Sequence, residues 1–281
     1  MSTAIVGHRA DIDTYAAYDR LPGVRAGDMA KMAKSPLHYR TATTGDSDSS
    51  TSSQQQNQAI HAMILEPENF ERQFSVYAGK VRNGKQFDAH CEAWPGTTVL
   101  LESWMPDIER TARAVRNDPR TQGAFTGQGW SEVAFAWTDP ATGLDCKARL
   151  DRMLLTGPNE VQIIDCKAIG TDLRDISRRV SERQWHVQAA HQIAGVLAHN
   201  PDLSVTYRWC CYETAAPYDV VMVRPADSAL DMGEQTRQEL LARITECQER
   251  DHWPGRHEGE VDVDVAPYLY PDLDLSDIPE E

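Results

Sequence analysis

Asp151, Asp165 and Lys167 stand on what read as neighbouring β-strands, and two acids with a lysine at such spacing can carry out metal-assisted hydrolysis. Two carboxylates held close together repel unless a hard divalent cation lies between them. Magnesium suits such a place, because it keeps several waters, takes oxygen ligands and needs only one or two protein carboxylates beside phosphate oxygens. Lys167, one pleat beyond Asp165 on the same face, could steady the attacking hydroxide or the charge that develops on a phosphate. The reaction that suits this set is hydrolysis of a phosphodiester. An isolated Asp-x-Lys is an ordinary solvated strand end, so its surroundings decide its weight.

Those surroundings are three short strands and two turns between Ser131 and Lys167. Glu132 to Trp137 alternates, with Val133, Phe135 and Trp137 on one face. Asp139-Pro140 and Gly143 supply turn chemistry. The second strand, about Cys146 to Leu155, is expected to set Cys146, Ala148, Leu150 and Leu154 on one side and Lys147, Arg149 and Asp151 on the other. After the turn at Gly157-Pro158-Asn159, Val161, Ile163, Asp165 and Lys167 share a face because side chains repeat every two residues. A sheet face that begins apolar thus becomes charged at its end, and antiparallel pairing could bring Asp151 and Asp165 together.

The arrangement resembles the PD-(D/E)xK nuclease superfamily, with Asp151 as the first acid, Asp165 as the second and Lys167 as the lysine. Further strings resemble its phage-encoded, exonuclease VIII-like branch: Lys34-Ser35-Pro36-Leu37-His38-Tyr39, the histidine of His61-Ala62-Met63-Ile64-Leu65-Glu66-Pro67, a glutamine in a later helix, and Trp253-Pro254-Gly255. The resemblance implies a restriction-endonuclease-like core. It implies magnesium, or manganese, held by Asp151, Asp165, the main-chain carbonyl of Cys166 and His61, with Glu132 as an outer ligand. Imidazole is a soft partner for magnesium and a better one for manganese. Gln188 fits the Gln-x-x-x-Tyr pattern of the branch, whereas Gln192 stands where the tyrosine is expected, and His191 is the neighbouring alternative. The implied activity is a 5′-to-3′ exonuclease acting on the ends of linear double-stranded DNA. It would leave a 3′ strand for an annealing protein, and relatives of this kind enclose DNA in ring-shaped homo-oligomers.

The rest of the chain sets bounds. Its 281 residues allow one large domain with core enough for an enzyme. With 41% hydrophobic and 25% charged residues it has the composition of a globular protein. No apolar run approaches a membrane span and the first residues carry no signal-peptide core, so a cytoplasmic place in a bacterial host is expected. The six cysteines include no C-x-x-C pair, which argues against a zinc ribbon or an iron–sulfur cluster. A net charge of −15 argues against a generic nucleic-acid binder. A confined basic channel remains compatible with it, and Arg149 together with the run Arg174, Arg178, Arg179 and Arg183 is assigned to DNA contact, a solvated helix face being the alternative.

Periodicity and breakers divide the chain into an N-terminal segment (1–34), the catalytic domain (35–258) with a polar, loop-like stretch over 41–58, and an acidic tail (259–281) that reads as an edge strand, a mobile tail or a partner-binding segment. A short helix is expected before Pro36, others over Thr97 to Asn117, Glu182 to His199 and Ala226 to Glu249, and two strands over Val205 to Tyr212 and Tyr218 to Val223. The expected fold is a single α/β domain with a central mixed sheet flanked by helices. Two other functions fit the same residues: a RecB-like nuclease of other polarity or single-strand preference, and a non-catalytic DNA-binding protein on the same fold.

Overall fold

Pro36 starts a helix instead of ending one. In the computed structural model, which describes residues 15–45, 51–170, 172–257 and 259–263, three short helices come first: α1 (Tyr15–Arg20), α2 (Ala26–Met32) and α3 (Pro36–Thr44). Ser35 caps α3 by accepting the His38 N–H at 3.2 Å, and proline is tolerated in a first turn because its missing N–H would have had no helical partner. Residues 15–34 are no separate segment. Met29 and Met32 are fully buried in the main core, Val24 bridges to Cys146, and Lys147 Nζ donates to the carbonyls of Tyr18, Asp19 and Leu21.

The stretch expected to be a loop, 41–58, is helical at both ends, while residues 46–50 lie outside the described residues. α3 runs to Thr44, and α4 (Ser52–Leu65) begins at a capping box in which Thr51 Oγ1 accepts the Gln54 N–H and Gln54 Oε1 accepts the Thr51 N–H. Two otherwise orphaned donors are thereby satisfied, which lets a polar Ser/Gln-rich sequence hold a helix.

After a single-turn helix, α5 (Phe70–Gln73), comes a small β-α-β unit: β1 (Phe74–Tyr77), α6 (Lys85–Ala93) and β2 (Thr98–Leu101), with the two strands parallel. The helix expected over Thr97 to Asn117 therefore begins later, as α7 (Met105–Asn117). Val99, Leu100 and Leu101 are buried in succession, as a strand covered on both faces requires, and Pro106 in the first turn of α7 fixes where the helix can begin.

α8 (Gln122–Thr126) leads into β3 (Gly129–Thr138), β4 (Asp145–Gly157) and β5 (Glu160–Ile169); then follow α9 (Ile176–Glu182), α10 (Trp185–His199), β6 (Ser204–Glu213), β7 (Val220–Val223) and α11 (Asp227–Arg250). The helix expected from Glu182 is two helices, because Gln184 adopts a left-handed conformation (φ 54°) between them. The main sheet has the order β3-β4-β5-β6-β7, with only β5 and β6 parallel. That parallel pair needs a crossover, and α9 with α10 supplies it.

Helices cover both faces of this sheet. Leu150, Ile163 and Trp209 pack towards Val187 of α10 and Leu241 of α11, while Ile164, Cys210 and Tyr212 pack towards Ile60 of α4 and Ile108 of α7. Each such fully buried aliphatic side chain contributes about 1.5–3 kcal/mol over its exposed state. The single α/β domain with a mixed sheet between helices is the fold expected. Two distant strings meet in it: Leu37 N donates to Pro254 O at 3.0 Å and Tyr39 stacks on Trp253 at 5.6 Å. Among the described residues no helix is long and apolar enough to cross a membrane. Of the acidic tail, 259–263 forms no regular element, and 264–281 lies outside the described residues.

Candidate active site

The site begins where the β3–β4 ladder lapses. Ser131 pairs with Arg152 and Val133 with Leu150, but Glu132 and Asp151, which this register sets opposite each other, do not pair. Glu132 has left-handed backbone geometry (φ 54°), a conformation that costs a side-chain-bearing residue about 1–3 kcal/mol. Both strands change face at this step. Leu150 and Met153 lie in one core although they are three residues apart, and Leu154, expected beside Leu150, packs into the core on the other side of the sheet.

β4 and β5 also part here. Their pairing reaches Arg152 with Ile164, and one step further the register places Asp151 against Asp165. Asp151 Oδ2 accepts the Cys166 N–H at 2.7 Å, taking the place of a strand carbonyl. The split sheet thus exposes the two acids to each other and to both covering helices.

From one side α10 delivers Gln188. Its Nε2 donates to Asp165 Oδ1 at 2.9 Å, and its Oε1 accepts from Lys167 Nζ at 2.7 Å. Lys167 Nζ also lies 2.5 Å from Asp165 Oδ2 and over the Trp185 ring at 5.4 Å. That contact is a charge-assisted one, so Gln188 and Lys167 between them hold the two oxygens of the buried carboxylate. Asp165 is 2% exposed. Burial pushes its carboxyl up to about 6; Lys167 opposes the rise and Asp151 adds to it.

From the other side α4 delivers His61, whose Nδ1 lies 3.9 Å from Asp151 Oδ2. Burial lowers its pKa, with Lys167 and Arg149 acting in the same direction and Asp151 against it. The ring is therefore neutral near pH 7 and keeps a lone pair for a metal. Glu132 Oε2 meets Arg149 Nε at 2.9 Å. Burial pushes Glu132 up to about 8, with Asp151 and Glu66 adding to the rise against Arg149.

Several assigned residues fall elsewhere. Arg149 lies against Glu132 in the same pocket as the acids. In the run after β5, Arg174 is bound by Asp172, Arg178 lies 3.5 Å from Glu182, and Arg179 reaches the Asp172 carbonyl. Arg183 is exposed just beyond α9. These contacts fit the solvated-helix alternative. His191 is turned away from the acids, with Nε2 against the carbonyls of Val24 and Lys147. Gln192 lies buried beneath the site: Nε2 donates to Arg149 O at 3.2 Å, and Oε1 accepts from Tyr207 OH at 2.5 Å. A tyrosine from β6 thus reaches the position from which the helix lacks one.

Glu66 is the residue that sequence reasoning passed over. It follows His61 in the same string, and its carboxyl is raised by burial within reach of Arg149. Its place before Pro67, at the end of a helix carrying a candidate ligand, was the available signal.

Among the described residues no three His, Cys, Asp or Glu side chains form a closed metal-binding group. A hard cation that keeps waters and takes phosphate oxygens does not need one. The donor set fits such an ion: Asp151, Asp165, neutral His61, and the Cys166 carbonyl on the peptide leading to Lys167. The Lys167 ammonium supplies the positive charge there.

Comparison with known proteins agrees with this architecture. Residues 28–263 match the model of the family described as "PDDEXK-like domain of unknown function (DUF3799)". Among solved structures, a crystal structure of a candidate exonuclease from Eubacterium rectale superposes with a TM-score of 0.61 at 12% identity, covering 94% of this chain and 98% of that one. At that identity the likeness is one of fold. No curated protein matches the chain. With the family model spanning most of the chain and the split sheet carrying Asp151, Asp165 and Lys167, this protein belongs to the PDDEXK-like DUF3799 family.

Proposed function

We propose that the domain is a divalent-cation-dependent deoxyribonuclease that hydrolyses phosphodiesters from the ends of linear duplex DNA, 5′ to 3′, leaving 3′ single strands. The observation that carries this reading is the convergence of two carboxylates and an ammonium: the register sets Asp151 against Asp165 where β4 and β5 part, and Lys167 Nζ lies 2.5 Å from Asp165 Oδ2.

Asp151 and Asp165 would hold magnesium, or manganese, with His61 and the Cys166 carbonyl completing the protein's share and Glu132 outside them. When bound, the cation offsets phosphate charge and acidifies an attacking water. Lys167 aims its ammonium at the reacting phosphate and stabilises the charge that develops there. Gln188 holds both Lys167 and Asp165, so neither has to reorganise during the reaction. The exonuclease VIII-like branch is supported by His61 reaching Asp151 from α4 and by Gln188 reaching Asp165 from α10. A homo-oligomeric ring around the duplex and an annealing protein that takes the 3′ strand belong to the same reading.

The test is digestion of end-labelled linear duplex beside a closed circle, with and without magnesium. Progressive loss from 5′ ends of the linear molecule alone is expected. Cutting of the circle, loss from 3′ ends or preference for single strands would replace the polarity and substrate. Retention of DNA without metal-dependent products would make the domain a binding protein.

A further inference from the structure

We propose that the β1-α6-β2 unit is a stacking surface for a single DNA strand, placed beside the mouth of the active site. The proposal rests on the nuclease reading above and adds a place for the unpaired strand.

α6 is nine residues long and buries none of them. Phe87, His90 and Trp94 recur at helical spacing on one face, and Asp88 and Glu92 fall on the other. Along the aromatic face runs an unbroken series of ring contacts. Arg82 lies over Trp104 at 5.7 Å and over Phe87 at 5.8 Å, Tyr77 meets Phe87 at 5.4 Å and His90 at 5.3 Å, and His90 meets Trp94 at 6.5 Å. The far end is open, with Trp94 51% exposed. Among the described residues, three of the seven exposed large apolar side chains, Val76, Val81 and Trp94, belong to this unit. Phe87 and His90 pack inward on Tyr77 and Ser75 of β1, which leaves Trp94 at the open end of the series, with Val76 and Val81 of the same unit, as apolar surface still to cover.

Charge selects the occupant. The loop before α6 carries Lys80 and Arg82, the latter over two of the rings, in a protein of net charge −15. Arg82 Nε is buried without a hydrogen-bond partner, so its cation is only partly satisfied. Cations bordering rings match a strand of phosphates and unpaired bases, since every base has a π-face and no base pair has to be read. A duplex hides those faces, and an acidic protein partner would leave the rings unused. Position favours the same occupant: Arg82 Nη1 donates to Gln55 on α4, and His61 lies six residues, about 9 Å, further along that helix.

The test uses the full chain in EDTA, where cleavage is off, with fluorescence anisotropy of labelled oligo(dT). Trp94→Ala is expected to weaken binding about tenfold, as loss of one stacked base would, and Trp94→Phe to retain most of it. Equal affinity of the wild type and Trp94→Ala overturns the proposal even if duplex ends are degraded normally. Weakening by Trp94→Ala in a wild type that never cleaves DNA would sink the nuclease reading and leave the stacking surface standing. A changed oligomeric state in Trp94→Ala, with oligo(dT) affinity intact, would make the face a contact between copies of the chain and also overturn it.

Discussion

Gln188 Nε2 reaches Asp165 Oδ1 at 2.9 Å across the split between helix and sheet. The same amide accepts from Lys167, so one side chain sets the distance between an acid and a cation. Gln188→Ala is expected to lower the rate of cleavage about 10–100-fold, the usual effect of losing a group that orients a ligand. Gln188→Glu should be worse, since it adds a carboxylate beside Asp165. Single-turnover rates on end-labelled duplex, read beside thermal melts, separate this from unfolding.

Lys167 and Asp165 form a largely buried ion pair. Lys167→Met should reduce cleavage about 10²–10³-fold through lost charge stabilisation. In EDTA it should also lower the melting temperature, because Asp165 stays buried without its counter-charge. Combining it with Asp165→Asn is expected to recover the melting temperature without recovering activity. A double variant that melts below Lys167→Met would contradict the assigned coupling.

Glu132 and Asp165 both take up protons more readily in the fold than in the unfolded chain, being pushed up to about 8 and about 6. Their protonated forms therefore add stability that is fully present below the unfolded carboxylate range and is lost as pH rises through these values. The metal-free protein should melt at progressively lower temperature between about pH 5 and pH 8. A divalent cation requires the ionised forms, so its stabilisation should grow across the same window and its binding should release protons. Melting curves with EDTA and with manganese at stepped pH give both trends.

Tyr207 OH donates to Gln192 Oε1 inside the core. Tyr207→Phe leaves that oxygen short of a donor, which costs about 1–3 kcal/mol in urea unfolding. Gln192 also holds the Arg149 carbonyl, two residues before the β4 step at which Asp151 and Asp165 face each other. A smaller loss of cleavage rate is expected with the loss of stability, and Gln192→Met should reproduce both.

The two-residue period of a strand is a local property. It placed Val133, Phe135 and Trp137 in one core and set Asp165 and Lys167 on a single face. The Asp-x-Lys was legible for the same reason, whereas His61 and Gln188 stood out only because their short strings resemble those of exonuclease VIII-like nucleases.

What the tertiary structure alone decided is where that regularity stops. The left-handed turn at Glu132 reverses the facing of β3 and β4, and no alternation of residue types announces it. Glu66 feels the charge of Arg149 although 83 positions separate them in the chain. Tyr207 answers Gln192 across a strand and a helix, and Pro254 closes on Leu37 from the opposite end of the domain. Contacts of this kind form only when segments distant in the chain pack together, because their partners are chosen by the shape and satisfaction of the whole core. Local spacing and resemblance therefore named the candidate groups, and packing determined which of them meet.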